Sequence, residues 1–294
     1  MPKVVVYGVT VTGAQQLDLP FTPTSLYDLP EDLPLGVYTT FRTFDHYKFL
    51  HLSDHFRRLE QSMALLNWRY ALDEAALRRA LHQVCVGYAH PDARVRIDVL
   101  ARAAAELAGD SRLLLALAPF DPPPAQVYER GVRVALAPRL HREEPRAKTA
   151  DFVLARREYP LGGAGAPHAA NPYEYLLLDE EQHLLEGSSS NFYAVRDGSV
   201  DTAGDGVLEG ITRKIVLQLI SEAGIKLRMR AVRLAELEEL DEAFLSSSSR
   251  GLVPIQQIDG RIVGAGRPGP VTRRLMAAYE EYVAEAVRPA VSLE

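Results

Sequence analysis

The run Pro119-Phe120-Asp121-Pro122-Pro123-Pro124 constrains this chain more than any other feature. Proline fixes φ near −65° and removes a backbone donor, so three in succession enter neither a helix interior nor the middle of a sheet. The run reads as an extended, semi-rigid connector. It separates residues 1–119 from 132–294, with 120–131 as the linker, and a chain of 294 residues is long enough for two such domains.

Apolar spacing fills in both sides. Before the connector, strands are expected near 4–12, 35–45 and 94–101. A helix is expected to open at Ser53 as N-cap and to turn Phe56, Leu59, Met63 and Leu66 to one face. A second starts near Asp73 and carries Leu77, Leu81, Val84, Cys85 and Tyr88 at helical period. Strands enclosing two helices make a small α+β domain. Beyond the connector, strands are expected at 131–137, 174–179, 183–187 and 191–196, with Asp197-Gly198 as a hairpin turn. A helix from about 212 points Ile215, Val216, Leu219 and Ile220 inward and stops at Gly224. The last helix, about 270–287, buries Leu275, Met276, Tyr279 and Val283. This half reads as an antiparallel-rich barrel or folded sheet with helices outside.

Composition removes several classes of function. The formal net charge is −6 and the pI about 5.8, so no basic surplus exists to bind nucleic acid. No apolar run approaches the ~20 residues that span a bilayer. A soluble, cytoplasmic protein without a membrane partner is expected. The single cysteine, Cys85, excludes an internal disulfide and a multi-cysteine metal site. The eight histidines form no HExxH and no cluster with carboxylates, so no metal is expected.

Three segments carry candidate chemistry. Glu209-Gly210-Ile211-Thr212-Arg213 runs into a helix start, where free N–H groups favour an anion; Thr212 serves equally as a simple cap. Ser246-Ser247-Ser248-Ser249-Arg250-Gly251 follows a strand and is rich in hydroxyls, which also suit a solvated turn. Neither resembles a P-loop or a dinucleotide fingerprint. The third segment, Pro145-Arg146-Ala147-Lys148-Thr149-Ala150, holds one of only five lysines among 33 basic residues. Codon bias explains most of that scarcity, but an arginine beside Lys148 would favour its neutral, nucleophilic amine.

Leu185-Glu186-Gly187-Ser188-Ser189-Ser190-Asn191-Phe192 and Leu208-Glu209-Gly210-Ile211-Thr212-Arg213 resemble the motifs of the class IV, pyridoxal-phosphate-dependent aminotransferases. Arg146-Ala147-Lys148-Thr149 precedes them at a family-like separation. Gly36-Val37-Tyr38 and His55-Phe56-Arg57-Arg58-Leu59 resemble two small-domain motifs. Val253-Pro254-Ile255, Ile258-Asp259-Gly260 and Gly269-Pro270-Val271-Thr272 resemble the C-terminal pattern. The resemblance covers almost the whole chain, in order. It implies an α+β protein with the type IV pyridoxal-phosphate enzyme fold: a small α/β domain and a larger barrel-like one.

The resemblance also implies roles. Lys148 would hold pyridoxal 5′-phosphate through a Schiff base and then move a proton, a double task that needs a primary amine. Glu186 would face the pyridine nitrogen and keep it protonated, and Leu208 would pack on the ring. Arg58, Ile211, Thr212, Ser248 and Ser249 would bind the phosphate, while Arg57 would be solvated. Tyr38 would lie near the substrate, with Arg96 or Arg102 as the substrate-side arginine and Arg96 the first choice. Amino acids and 2-oxo acids are the implied substrates, and a homodimer the implied assembly. The family includes branched-chain aminotransferases, D-amino acid transaminases and 4-amino-4-deoxychorismate lyases. Transamination is the first expectation, the lyase reaction the alternative, and a cofactor-free binding module on the same fold the third. Two departures bear on substrate: Val153 stands where branched-chain aminotransferases usually carry tyrosine, and Arg250-Gly251 replaces a small residue followed by glutamate. Arg250 would bind a substrate carboxylate or form a surface ion pair.

Overall fold

The computed structural model describes residues 4–29, 33–104, 112–162 and 171–287. They divide into two compact units. One takes the described residues up to Asp121 together with Ala147–Leu154; the other takes Pro122–Arg146 and the described residues from Ala155 to Glu285. The boundary falls inside the proline run, but the segment holding Lys148 groups with the N-terminal unit.

That unit is built on six strands, β1 (Val5–Thr10), β2 (Gly13–Gln16), β3 (Gly36–Phe44), β4 (Lys48–Phe49), β5 (Ala93–Leu100) and β6 (Leu113–Pro119), in the order β2-β1-β6-β5-β3-β4. Two helices, α1 (Leu52–Leu65) and α2 (Glu74–Val86), cover one face. Phe56, Leu59 and Met63 repeat at helical spacing and are almost fully buried, each contributing about 1.5–3 kcal/mol of hydrophobic stabilisation. Leu66, at the C-cap, is only half-buried. Leu113, Leu115 and Leu117 of β6 join this core, while Leu114 and Ala116 join a second cluster with Val4, Val6 and Leu26. Burial on both faces makes β6 a continuous apolar run rather than an alternating one.

Asp73 caps α2 as its residue type predicts, accepting from the Ala76 amide at 2.9 Å. The start of α1 differs. Its N-cap is His51, in the left-handed region at φ 52°, and Ser53 lies inside the first turn, where its hydroxyl accepts from Arg78 at 2.8 Å. The connector also differs from a wholly extended link: Pro124 is followed at once by a short helix, α3 (Ala125–Arg130). Pro124 sits at the N-cap, where its missing N–H costs nothing.

A short helix, α4 (Asp151–Ala155), follows the Lys148 segment. The C-terminal unit contains β7 (Val132–Leu136), β8 (Glu174–Leu178), β9 (His183–Gly187), β10 (Ser190–Arg196), β11 (Ser199–Thr202), β12 (Leu227–Met229), β13 (Val232–Arg233), β14 (Glu242–Ser247), β15 (Gly251–Ile258) and β16 (Arg261–Ile262). The pairing β10-β14-β15-β7-β8-β9 returns to β10, so these six strands close into a barrel. Alternate residues Val132 and Val134, Phe192 and Ala194, Ala243 and Leu245, and Val253 and Ile255 form one apolar cluster, the period-two signature of a filled interior. Two helices, α5 (Ile211–Glu222) and α6 (Pro270–Ala286), complete the unit; α5 buries Ile215, Val216, Leu219 and Ile220. The start of α6 is fixed by Glu242, whose carboxylate accepts from the Val271 and Thr272 amides at 3.0 and 2.7 Å. In α6, Leu275 and Tyr279 are buried, whereas Met276 and Val283 are half-buried.

Candidate active site

In the C-terminal unit the strand register collects the polar groups. Glu186 stands opposite Asn191, and Asn191 opposite Ser246, so the three form a row across β9, β10 and β14. Tyr193 and Phe244 form the next pair and stack at 4.6 Å, and the Tyr193 hydroxyl meets Ser246 Oγ at 3.0 Å. The Glu186 carboxylate is 2 % exposed. Arg142 Nε donates to its Oε1 at 2.6 Å, and Asn191 Nδ2 and the Leu208 amide donate to Oε2 at 3.3 and 3.2 Å. Those bonds take three of its roughly four acceptor directions. A protonated aromatic nitrogen suits the fourth.

Asn191 also ties this carboxylate to α5. Its Nδ2 donates to the Leu208 carbonyl at 2.8 Å, and a Cβ added at Gly210 would stand 2.2 Å from its side-chain oxygen. Glycine at 210 thus lets the helix start approach. Gly210 is the N-cap of α5 and supplies no side-chain capping bond, so the first amides of Ile211 and Thr212 remain for an anion. Thr212 is buried, and its hydroxyl donates to Ser248 Oγ at 3.4 Å. Ser248 and Ser249 lie in the turn joining β14 to β15. Helix amides, three hydroxyls and a held carboxylate are the donor and acceptor set that a phosphorylated pyridine requires.

In the N-terminal unit, Gly36–Tyr38 of β3 bonds with the Lys148 segment. The Tyr38 amide donates to the Lys148 carbonyl at 2.9 Å, and the Ala150 amide to the Gly36 carbonyl at 2.7 Å. A Cβ at Gly36 would meet the Val99 carbonyl oxygen at 2.1 Å, which explains the glycine of Gly36-Val37-Tyr38. Ser62 of α1 accepts from the Lys148 amide at 3.1 Å and donates to the Arg58 carbonyl at 2.7 Å. Lys148 is 8 % exposed, and its Nζ lies 4.8 Å from the Tyr38 ring centroid, a cation–π distance. Arg146 is exposed and faces Glu144 at 3.8 Å; the cations acting alongside Lys148 on buried His55 are Arg58 and His51.

Arg58 is buried and donates from Nη2 to Thr39 Oγ1 at 2.7 Å, and that oxygen meets His55 Nδ1 at 2.7 Å. Arg57 is exposed and pairs with Asp54. Arg96 is 2 % exposed, with Nε and Nη2 on Asp98 and Nη1 on the Leu26 carbonyl at 3.4 Å. Its guanidinium stands 4.5 Å from the Tyr38 ring centroid and 5.2 Å from that of Tyr27. Arg102 is exposed beyond β5, and Val153 is buried in α4. Among the described residues no group of three or more histidine, cysteine, aspartate or glutamate side chains could hold a metal ion. Cys85 lies in the core, where burial pushes its thiol up to about 12.

Sequence reasoning assigned no role to Arg142, Ser62, Thr39 or Glu174. Asn191 stood in a quoted motif without one. Arg142 meets Glu186, Thr39 meets Arg58, Ser62 meets the Lys148 amide and Glu174 meets Arg250 across 19 to 86 residues of chain, and no local pattern announces such pairs.

Fold and family match together define a pyridoxal-phosphate aminotransferase. Residues 36–258 match the family Amino-transferase class IV, and the chain belongs to that family, whose cofactor is pyridoxal 5′-phosphate. Over 280 residues, 92 % of this chain and 92 % of the relative, it is 31 % identical to a probable branched-chain-amino-acid aminotransferase of Thermotoga maritima. A stretch of 132 residues, 45 % of this chain and 40 % of the relative, is 38 % identical to a branched-chain-amino-acid aminotransferase of Pseudomonas aeruginosa. The crystal structure of a putative branched-chain amino acid aminotransferase from Thermotoga maritima superposes with a TM-score of 0.75 at 26 % identity, covering 98 % of this chain and 100 % of that one.

Proposed function

We propose that this protein moves an amino group between a branched-chain amino acid and a 2-oxo acid. The buried Glu186 carboxylate, held by Arg142, Asn191 and the Leu208 amide, is the observation that carries the reading. Bound pyridoxal phosphate supplies the electron sink that makes the Cα proton of an amino acid removable. Glu186 would keep the pyridine nitrogen protonated, and Leu208 would pack on the ring. The Ile211 and Thr212 amides, the Thr212, Ser248 and Ser249 hydroxyls and the Arg58 guanidinium bind the phosphate. Lys148 would anchor the cofactor, and its primary amine would then move the proton released at the substrate Cα. Tyr38 borders the substrate. Arg96, engaged with Asp98 and stacked near Tyr38, acts on the substrate by fixing that ring. The active form is a homodimer with a mass about twice 32.5 kDa.

Relatives named branched-chain-amino-acid aminotransferases support the branched-chain class, and relatives named D-alanine aminotransferases stand beside them. Val153 favours a second reading, a D-amino acid transaminase, because the tyrosine usual in branched-chain enzymes is missing there. The test is a single half-reaction. Loaded with pyridoxal phosphate, the protein should convert a stoichiometric amount of L-leucine to its 2-oxo acid, keep the amino group, and release it onto 2-oxoglutarate. Lys148→Ala should lower the rate by about 10²–10⁴-fold or more. Reaction with D-alanine alone would select the second reading, and 4-aminobenzoate with pyruvate from aminodeoxychorismate would select the lyase. Failure to retain an amino group from donors of either hand would reject transamination.

A further inference from the structure

Arg250 departs from the small residue usual at its position, and its surroundings assign it neither to solvent nor to an incoming ligand. Its Nη2 donates to Glu174 Oε2 at 3.1 Å and to Ser189 Oγ at 2.7 Å, and its Nε donates to Ser247 Oγ at 3.1 Å. Glu174, the first residue of β8, is 0 % exposed. Its carboxylate accepts from all three serines after Gly187: Ser188 and Ser189 at 2.5 Å each and Ser190 at 3.2 Å. Ser189 Oγ therefore accepts from Arg250 and donates to Glu174, which closes a three-membered ring. The Arg250 carbonyl accepts from the Tyr128 hydroxyl at 2.9 Å. Gly187 is needed for this arrangement, since a Cβ there would stand 2.2 Å from Ser190 Oγ and 3.0 Å from Glu174 Cγ. Burial pushes the Glu174 carboxyl up, but Arg250, Ser188 and Ser189 outweigh it and hold it below the usual range.

The ring joins two turns that carry the proposed cofactor contacts. Ser188–Ser190 begins two residues after Glu186, and Ser247–Arg250 contains Ser248 and Ser249. We propose that Glu174 and Arg250 are positioning residues that set the Glu186 carboxylate and the phosphate-binding hydroxyls at a fixed spacing. The proposal rests on the cofactor contacts assigned above. A buried carboxylate saturated by five donors, the Tyr175 amide included at 3.1 Å, has one arrangement and moves both turns together. Lysine would keep the charge at 250 but cannot reach Ser247 and Glu174 with separate donors of one rigid fork.

Glu174→Gln, Arg250→Met, their double variant, Arg250→Lys and Ser189→Ala test this. With cofactor absent, hydrogen exchange at 188–190 and 247–251 should rise in both turns in each single variant. Pyridoxal phosphate affinity should fall on the order of tenfold in Glu174→Gln and Arg250→Met. The pH midpoint of the bound cofactor's visible absorption should shift in the same direction in both. The double variant should be no weaker than the worse single one, because the two residues act as a unit, and Arg250→Lys should recover only part of the loss. Ser189→Ala removes the middle of the ring with little risk to folding, and should show the same pattern if the charge variants do not fold. Additive losses in the double variant, exchange confined to one turn, or an unchanged affinity and midpoint would overturn the proposal. So would a raised KM for the amino donor in Arg250→Met alone, which would make Arg250 a substrate-carboxylate group. An unaltered protein that binds no pyridoxal phosphate would instead overturn the functional reading.

Discussion

Thr39 Oγ1 joins two buried side chains, Arg58 and His55. It accepts from Arg58 Nη2 and meets His55 Nδ1 at 2.7 Å; with one hydrogen and a second lone pair left, the hydroxyl serves the neutral ring in either tautomer. Burial, with Arg58, Lys148 and His51 nearby, holds the His55 imidazole well below its ordinary 6.5. The linkage sign follows. Above pH 6.5 both folded and unfolded states leave the ring neutral. Below it the unfolded state takes up a proton that the folded state refuses, so stability falls as pH drops, by at most about 1.4 kcal/mol per pH unit. Thermal unfolding between pH 7 and 5 should show this slope, and His55→Asn, whose side-chain oxygen can take the Thr39 proton, should flatten it. An unchanged slope would mean that His55 is not the group. Residue-scale legibility had limits of this kind: Lys148 stood out among five lysines, whereas Arg142 was one of 28 arginines until its contact with Glu186 was seen.

At the scale of elements, α2 and α5 were readable because helical spacing and terminal residues agreed, Asp73 at one start and Gly224 at the other end. The start of α1 was misplaced, since serine is a good cap by type but the left-handed turn at His51 sets the entry instead. Strand β6 had no alternating pattern to find. The Glu-Gly-Ile-Thr motif gains a physical reason from the structure: Gly210 is the one residue small enough to stand against Asn191. Gly210→Ala should push the Asn191 amide away from Glu186 and Leu208, at an overpacking cost of about 1–3 kcal/mol. Pyridoxal phosphate titration should then show weaker binding, while Gly224→Ala, at φ 66° with open space around its Cβ, should lower stability and leave affinity unchanged. Equal losses of affinity in the two variants would remove the special role of the α5 entrance.

At the scale of the whole molecule, the chain divides between Asp121 and Pro122, and sequence order does not set which unit each later piece joins. Ala147–Leu154 follows the connector in sequence yet groups with the N-terminal unit through Tyr38, Gly36 and Ser62. Barrel closure by β9 and β10 was equally invisible, because pairing between strands depends on partners that periodicity does not name. The membership has an energetic consequence for the proposed cofactor contacts, of which Lys148 and Arg58 lie in one unit and Glu186, Thr212 and Ser248 in the other. A ligand that needs both sets binds only when both units are folded, so its binding free energy adds to the stability of each. At a free concentration a hundredfold above the dissociation constant that gain is about 2.7 kcal/mol, or roughly 5 °C in unfolding temperature for a chain of this length. Calorimetry of the cofactor-free protein against the loaded one, with hydrogen exchange reporting on β6 and on β10, should show the rise in both units. Lys148→Ala, which retains the phosphate contacts, should reduce the rise in both. Stabilisation confined to the C-terminal unit would mean that Lys148 and Arg58 take no part in holding the cofactor, and the assignment of the anchoring amine would have to be withdrawn.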